Sequence, residues 1–171
     1  MIVRRQEPRD YEAAQVVYAE AFTRPDQRER VPVEVGIFVA LWEANDVMPE
    51  LSFTATVEDS VVGHVTASRA KVGPHSVVAV GPIGVLPEHQ AKGIGSALMI
   101  SLLDGADAED IPLVVLLGSP QYYSRFGFRS AAELGVVSPE PNWGSAFQAR
   151  PLAAYTPSIA GPFQYAPAFS S

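Results

Sequence analysis

The sequence contains no cysteine. That single absence removes disulfides, thiolate metal sites and any acyl-cysteine intermediate. Long apolar runs are missing too, because Arg, Glu, Asp, Pro or Gly interrupts every stretch before it reaches the length of a membrane span. The opening MIVRRQEPRDYE carries acids and Pro8 where a secretory leader needs an apolar core, so no membrane association and a cytoplasmic location are expected. Basic charge is scarce. A formal net charge of −7 argues against general binding of nucleic acid, which needs a basic face to displace counterions. The same balance favours a cationic or neutral acceptor over an acidic one. No His, Asp and Glu grouping has metal-ligand spacing, so no metal is expected. What remains, 171 residues with 47% apolar and 18% charged, fits one domain over 1–171 with a real core.

The most informative stretch present is 78–98, VAVGPIGVLPEHQAKGIGSAL. An apolar, β-branched segment runs into a Pro/Gly turn, then a Gln-x-x-Gly-x-Gly loop, then a helical pattern. Such an order builds an anion cradle, since Gly93 and Gly95 let successive backbone N–H groups turn toward one point while a helix N-terminus adds positive partial charge. The two common nucleotide loops do not fit. A dinucleotide fingerprint needs Gly or Ala where Leu98 stands, and a triphosphate loop needs a lysine that Gly95-Ser96-Ala97 lacks.

A coarse pass predicts a strand over 2–5, a helix from the Asp10 cap to Phe22, a charged loop over 23–31 and a helix over 33–42. Strands over 51–57 and 61–68 flank the polar turn Glu58-Asp59-Ser60 as a hairpin. The next strand, 77–86, carries Pro82 and Gly84 where a central strand should not, which implies a bulge or the approach of another backbone or a ligand. A helix over 93–103, a buried strand over 113–117 and a short helix opened by Ser119-Pro120 follow. A final strand over 145–152 precedes an extended C-terminal segment, 153–171.

The motif Gln90-Ala91-Lys92-Gly93-Ile94-Gly95-Ser96, after Pro82-Ile83-Gly84-Val85-Leu86-Pro87, resembles the acyl-CoA-binding motif of the GNAT family of N-acetyltransferases. A second match in the right order, Gly118-Ser119-Pro120-Gln121-Tyr122-Tyr123-Ser124-Arg125-Phe126-Gly127-Phe128, is similar to that family's next strand, short helix and closing Tyr-x-x-x-Gly-Phe. The run 147–169, with GPFQYAPAF, resembles the C-terminal end of a subgroup of predicted small acetyltransferases. The resemblance implies an α/β fold with a mixed, mostly antiparallel central sheet flanked by helices, whose splayed parallel strand pair forms a cofactor cleft. It also implies acetyl-CoA as cosubstrate and direct transfer to an amine in a ternary complex, by a monomer or a homodimer. A non-catalytic acyl-CoA sensor or interaction module is the alternative.

The resemblance likewise assigns roles. The loop Gln90, Ala91, Lys92, Gly93, Ile94, Gly95 and Ser96 would take the pyrophosphate, with Lys92 and Arg125 either screening other phosphates or standing as solvated charges. Backbone groups of Ile83, Gly84 and Val85 would pair with the pantetheine arm, and the Val85 N–H would polarise the thioester carbonyl. Tyr123 would protonate the departing thiolate, with Tyr122 as its rival, since neighbours on a helix should not face one ligand. Ser119 and Phe126 complete the cofactor contacts, although Ser119 also reads as a helix cap. The general base stays open among Glu50, His64, His75 and a water, while His89 reads as a solvent-facing loop residue. The loop 23–31, Trp42 and Trp143 would wall the acceptor side, and the acceptor itself is not written in the sequence.

Overall fold

A computed structural model of the chain describes residues 1–170. Strand β1 (Ile2–Arg5) leads into helix α1 (Tyr11–Phe22), and α2 (Val33–Glu43) packs beside it. Asp10 stands at the head of α1 but does not cap it. Its buried carboxylate instead takes both terminal nitrogens of Arg4, at 2.8 and 2.9 Å, the Glu7 N–H at 2.8 Å and the Thr54 hydroxyl at 3.0 Å, so it ties β1 to the sheet.

Strands β2 (Phe53–Val57) and β3 (Ser60–Val72) form the expected hairpin. Glu58 and Asp59 both adopt positive φ, 51° and 66°, the conformation that matches a two-residue turn to strand twist. Strand β3 runs further than expected, because Ala70 and Val72 stay buried on one face while Arg69 and Lys71 face solvent. Then come β4 (His75–Val85), α3 (Ile94–Ala108), β5 (Leu113–Leu117), the single turn α4 (Pro120–Tyr123), the two-residue strands β6 (Arg129–Ser130) and β7 (Val136–Val137), and β8 (Phe147–Pro151).

The C-terminal segment is less plain than expected. It contains β9 (Gly161–Tyr165), which pairs with Ala70, Lys71 and Val72 of β3 and also with β7. Beyond it Ala166 and Phe169 pack with Leu41 and Trp42 of α2, so this stretch belongs to the core, while Ser171 lies outside the described residues.

The sheet order is β1-β2-β3-β4-β5-β8-β6, with β9 and β7 branching from β3; it is antiparallel except for the parallel step from β4 to β5 and the short parallel pair of β7 with β9. Leu98, Met99, Leu102 and Ala106 of α3 press on Val65, Val78, Val80 and Val114, and on the other face Phe147 and Phe163 pack with Val77, Ala79 and Val115. Trp42 stacks into a cluster with Tyr11 and Phe38, and Trp143 rests on Phe147 and Tyr165. No helix among the described residues is long and apolar enough to cross a membrane.

His64 is fully buried beside α1, and burial lowers its pKa to about 3. Burial alone would raise the Asp10 carboxyl, but its bonds from Arg4, the Glu7 N–H and Thr54 hold it at about 2. The unfolded chain protonates His64 below about pH 6.5 while the fold keeps it neutral, so stability complete above that pH is lost as pH falls toward 3. The Asp10 contribution is complete above pH 3.8 and is lost as pH falls through 2. Urea unfolding midpoints are therefore expected to drop as pH is lowered from 6.5 to 4, with the His64 ring resonances not titrating above pH 5. A flat midpoint over that range would contradict a neutral buried imidazole. Asp10→Ala, which strands Arg4 without its partner, is expected to cost about 3 kcal/mol in the same assay at pH 7.

Candidate functional site

The site begins where the sheet comes apart. β4 and β5 pair through Val78 with Val114 and Ala79 with Val115, and past those residues β4 continues without a β5 partner. At the same place its register against β3 slips: Val65 faces Ile83 but Ala67 faces Val80, which puts one extra residue on β4 around Gly81 and Pro82. Pro82 has no N–H to lose there, and its carbonyl accepts a 2.8 Å hydrogen bond from the Tyr18 hydroxyl. The expected bulge is thus present. Gly84 has a different cause, since a Cβ there would lie 3.2 Å from Ala21 and Tyr18 and 3.4 Å from Phe22, so it lets α1 approach.

Beyond the bulge the Leu86 N–H donates to the Val62 carbonyl. Bonded and non-bonded pairs alternate along an antiparallel ladder, so Ile83 and Val85 turn their backbone groups away from β3 and toward the gap left by β5. The Gln90 side-chain amide donates to the Val85 carbonyl at 2.9 Å, which fastens the loop to the strand end. Gln90 is therefore a loop tie through one of its two amide N–H groups, with the other left free. The Ile83 N–H and C=O and the Val85 N–H are left on the open edge.

The loop itself winds through left-handed conformations at Ala91 (φ 60°) and Gly93 (φ 83°). Gly93 then stands at the head of α3 with no side-chain cap, and the first helical bond runs from the Ala97 N–H to the Gly93 carbonyl. The N–H groups of Ile94, Gly95 and Ser96 are the unpaired donors of that first turn. The two glycines differ in purpose. Around Gly93 an added Cβ would meet open space, so its positive φ is the requirement; Gly95 has ordinary helical geometry, and a Cβ there would sit 3.5 Å from the Tyr122 hydroxyl, inside the cleft.

These parts enclose a cleft of about 520 Å³. Ile83, Gly84, Val85, Gln90, Ala91, Gly93, Ile94, Gly95, Ser96 and Tyr123 all line it, as the motifs led one to expect. Lys92, Ser119 and Phe126 do not. Lys92 projects into solvent between two inward-facing loop residues, and Phe126 turns onto the rings of Tyr122 and Tyr123. Ser119 sits exposed at the head of α4 with no capping bond from its hydroxyl; its carbonyl accepts the Tyr122 and Tyr123 N–H groups instead.

Five further residues line the cleft, of which Ala21, Phe22, His89 and Tyr122 were not expected there. Ala21 and Phe22 at the end of α1 form one wall, and His89 turns inward from a tight turn opened by Pro87, a geometry that residue spacing does not announce. Tyr122 lines the cleft together with Tyr123, their rings perpendicular with centroids 4.9 Å apart, because a one-turn helix on the cleft rim shows both sides to it. Arg125 lies over the Tyr122 ring at 4.4 Å and donates to the Tyr122 carbonyl, so this cation is held at the rim.

Burial, with Tyr122 adding to it, raises the Tyr123 pKa, so its hydroxyl stays protonated at neutral pH. Its ring lies so close over Gly118 that a Cβ there would come within 2.5 Å. None of the three side chains expected as bases lines the cleft: Glu50 stands in the turn before β2, His75 at the far end of β4 opposite Val72, and His64 is buried against Tyr18 of α1. A second cavity of about 490 Å³, beside Ser130, Val136, Ser138 and Phe147, has no charged side chain in its lining.

A sheet split between two parallel strands, with helix N–H donors at one end of the split and a protonated tyrosine lining it, makes a cleft whose open backbone groups suit a long ligand with an anionic end. The chain belongs to the GNAT acetyltransferase family: the family model described as "Acetyltransferase (GNAT) domain" matches residues 3–131. It is 29% identical over 113 residues to the uncharacterized N-acetyltransferase YjhQ of Escherichia coli K12, covering 63% of this chain and 62% of that one. To YhbS of the same organism it is 35% identical over 98 residues, 56% of this chain and 59% of YhbS, so both alignments span about three-fifths of the relatives' length. The crystal structure of E. coli YhbS in complex with CoA superposes with a TM-score of 0.86 at 26% identity over 99% of this chain and 92% of that one. A GNAT acetyltransferase from Brucella melitensis in complex with acetyl-CoA superposes with a TM-score of 0.75 at 28% identity, over 98% and 97%.

The contrast between the glycines is measurable. Gly93→Ala forces a side chain into left-handed geometry and is expected to lower stability by about 1 kcal/mol in thermal unfolding. Gly95→Ala is expected to leave the melting temperature unchanged or raise it, because alanine favours helix over glycine by up to about 1 kcal/mol. Equal destabilisation by both would show that Gly95 also has a backbone role.

Proposed function

We propose that the chain transfers an acetyl group from acetyl-CoA directly to an amine in a ternary complex, working in the cytoplasm. The observation that carries this reading is the meeting, in one cleft, of the uncapped N–H groups of α3, the unpaired edge of β4 and Tyr123. The pyrophosphate of CoA fits the Ile94, Gly95 and Ser96 N–H groups, with Arg125 and His89 beside it. The pantetheine arm would then run along β4 as an added strand, its amides pairing with Ile83 and Val85. Because Gln90 ties Val85 to the loop, Val85 belongs to the pyrophosphate end, and the N–H of Ile83 nearer the bulge takes over the role first expected of Val85.

In the reaction the neutral amine nitrogen attacks the thioester carbon while the Ile83 N–H stabilises the developing oxyanion. The C–S bond breaks as Tyr123 gives its proton to the leaving sulfur, and the proton shed by the attacking nitrogen passes through water to the tyrosinate, so that the amide, the free thiol and a protonated Tyr123 result. No carboxylate lines the cleft among the described residues, so the ammonium form of the acceptor loses its proton to water before attack. That same observation favours a second reading, in which the cleft binds acyl-CoA as a sensor without turnover.

Calorimetry with CoA and thiol release from acetyl-CoA over a panel of amines separate the two. Binding with turnover supports transfer, binding without it supports the sensor, and no binding at millimolar CoA rejects both. Tyr123→Phe is expected to lower kcat about a hundredfold with the KM for acetyl-CoA changed by less than about twofold. Undiminished turnover in that variant removes the acid role from Tyr123. Gly95→Ala is expected to weaken CoA binding at least about tenfold, since its methyl group enters the cleft.

A further inference from the structure

Behind the bulge lies a closed polar network that the reaction scheme does not use. Tyr18 of α1 is fully buried, and its hydroxyl oxygen sits 2.8 Å from the Pro82 carbonyl, 2.8 Å from the Thr66 hydroxyl and 2.6 Å from Nδ1 of His64. His64 Nε2 lies 2.8 Å from Oε1 of the Gln6 amide, whose oxygen and nitrogen are assigned by their partners, and Gln6, His64 and Thr66 are all buried. Buried polar groups are expensive when unpaired, so the protons must be distributed to suit every atom.

Tyr18 has one proton and the Pro82 carbonyl can only accept. If His64 carried its proton on Nε2, donating to the Gln6 oxygen, Tyr18 would give its proton to Pro82 and Nδ1 would be left facing the tyrosine oxygen lone pair at 2.6 Å, with only the Thr66 hydroxyl, 3.4 Å away, to donate to it. If His64 carries it on Nδ1, both His64 and Thr66 donate to the tyrosine oxygen, Tyr18 donates to Pro82, and the Gln6 amide, turned so that its NH₂ faces Nε2, completes the set. Every hydroxyl and ring nitrogen then has a partner. The arrangement commits the Tyr18 proton to a single carbonyl, the one on the extra residue of β4 that lets Ile83 turn toward the cleft.

We propose that Tyr18, oriented by Thr66 and the Nδ1–H tautomer of His64, is a positioning residue for acyl transfer: it pins the bulge at Pro82 and so aims the Ile83 and Val85 N–H groups at the thioester and pantetheine. The ring of Tyr18 is also packed against Phe38 and His64, which keeps the hydroxyl from swinging away. The role rests on the acetyl-transfer reading, but the placement of the amides does not.

Tyr18→Phe keeps the ring and removes the bond. In ¹⁵N–¹H spectra of the free protein this variant is expected to shift and broaden the Ile83 and Val85 amides while leaving Val78, on the same strand before the bulge, in place. Long-range ¹⁵N spectra of the wild type are expected to show His64 protonated on Nδ1. In turnover with acetyl-CoA, kcat is expected to fall on the order of tenfold to a hundredfold while the affinity for CoA changes by less than about threefold, because a small misplacement at the reacting end costs rate and leaves the pyrophosphate contacts intact. Thr66→Val, which removes one donor to Tyr18, is expected to give a smaller change of the same kind. Unmoved Ile83 and Val85 amides in Tyr18→Phe would overturn the proposal whether or not the protein is an acetyltransferase. Moved amides with unchanged kcat in an active enzyme would overturn its catalytic half, and an Nε2–H tautomer would overturn the proton assignment. Wild-type protein that binds CoA without turnover would reject the transfer reading and, with moved amides, leave the pinning of the bulge standing.

Discussion

The parting of β4 from β5 is the constraint on which the rest of the molecule turns. Parallel pairing holds at Val78 and Ala79, where side chains on both faces of the sheet are buried, and it stops where the extra residue at Gly81 and Pro82 swings β4 out of line. An unpaired backbone edge inside a protein is normally a liability, because buried N–H and C=O groups need partners. Here the edge opens on a cleft, one of its carbonyls is taken by Gln90, and the remaining groups are spaced for an extended ligand. The helix that follows contributes its own unpaired donors at the same cleft. Two sets of unsatisfied backbone groups therefore share one solution.

On the proposed reading, this arrangement explains how an acidic chain would hold a polyanion. The cleft is lined by Arg125, His89 and helix N–H dipoles, with no carboxylate among its described lining residues. Acidic residues Asp104, Asp107, Glu109 and Asp110 are exposed toward the opposite end of α3, about 10 Å or more along the axis from its first turn. At that distance solvent and salt screen most of their repulsion, since the Debye length is about 8 Å at physiological ionic strength. Local field decides binding here, and net charge does not.

Much of the site could be read from the residues because its causes are local. Gly93 needs a positive φ, Pro82 cannot join a ladder, and strand followed by glycine loop and helix is a contiguous pattern. What escaped the reading was set by distant packing. Gly84 is small because α1 presses on it, and His64 sits at the end of a chain of contacts running through Tyr18, so strand alternation could not show that it is buried on a face already covered. β9 was hidden for the same reason: its partner residues Ala70 to Val72 are far away in sequence, and its Gly161-Pro162 start looks like loop until β3 supplies the other half of the ladder. His89 and Tyr122 depend on tight turns whose direction the sequence does not state.

The central claim, that the split edge of β4 and the head of α3 together hold one acyl-CoA, is tested most directly by a crystal structure of the protein with CoA bound. The account predicts pyrophosphate oxygens within hydrogen-bond distance of the Gly95 and Ser96 N–H groups, pantetheine amides paired with the backbone of Ile83 and Val85, and the thiol beside the Tyr123 hydroxyl. CoA bound elsewhere, or in this cleft with its pantetheine arm away from β4, would contradict it.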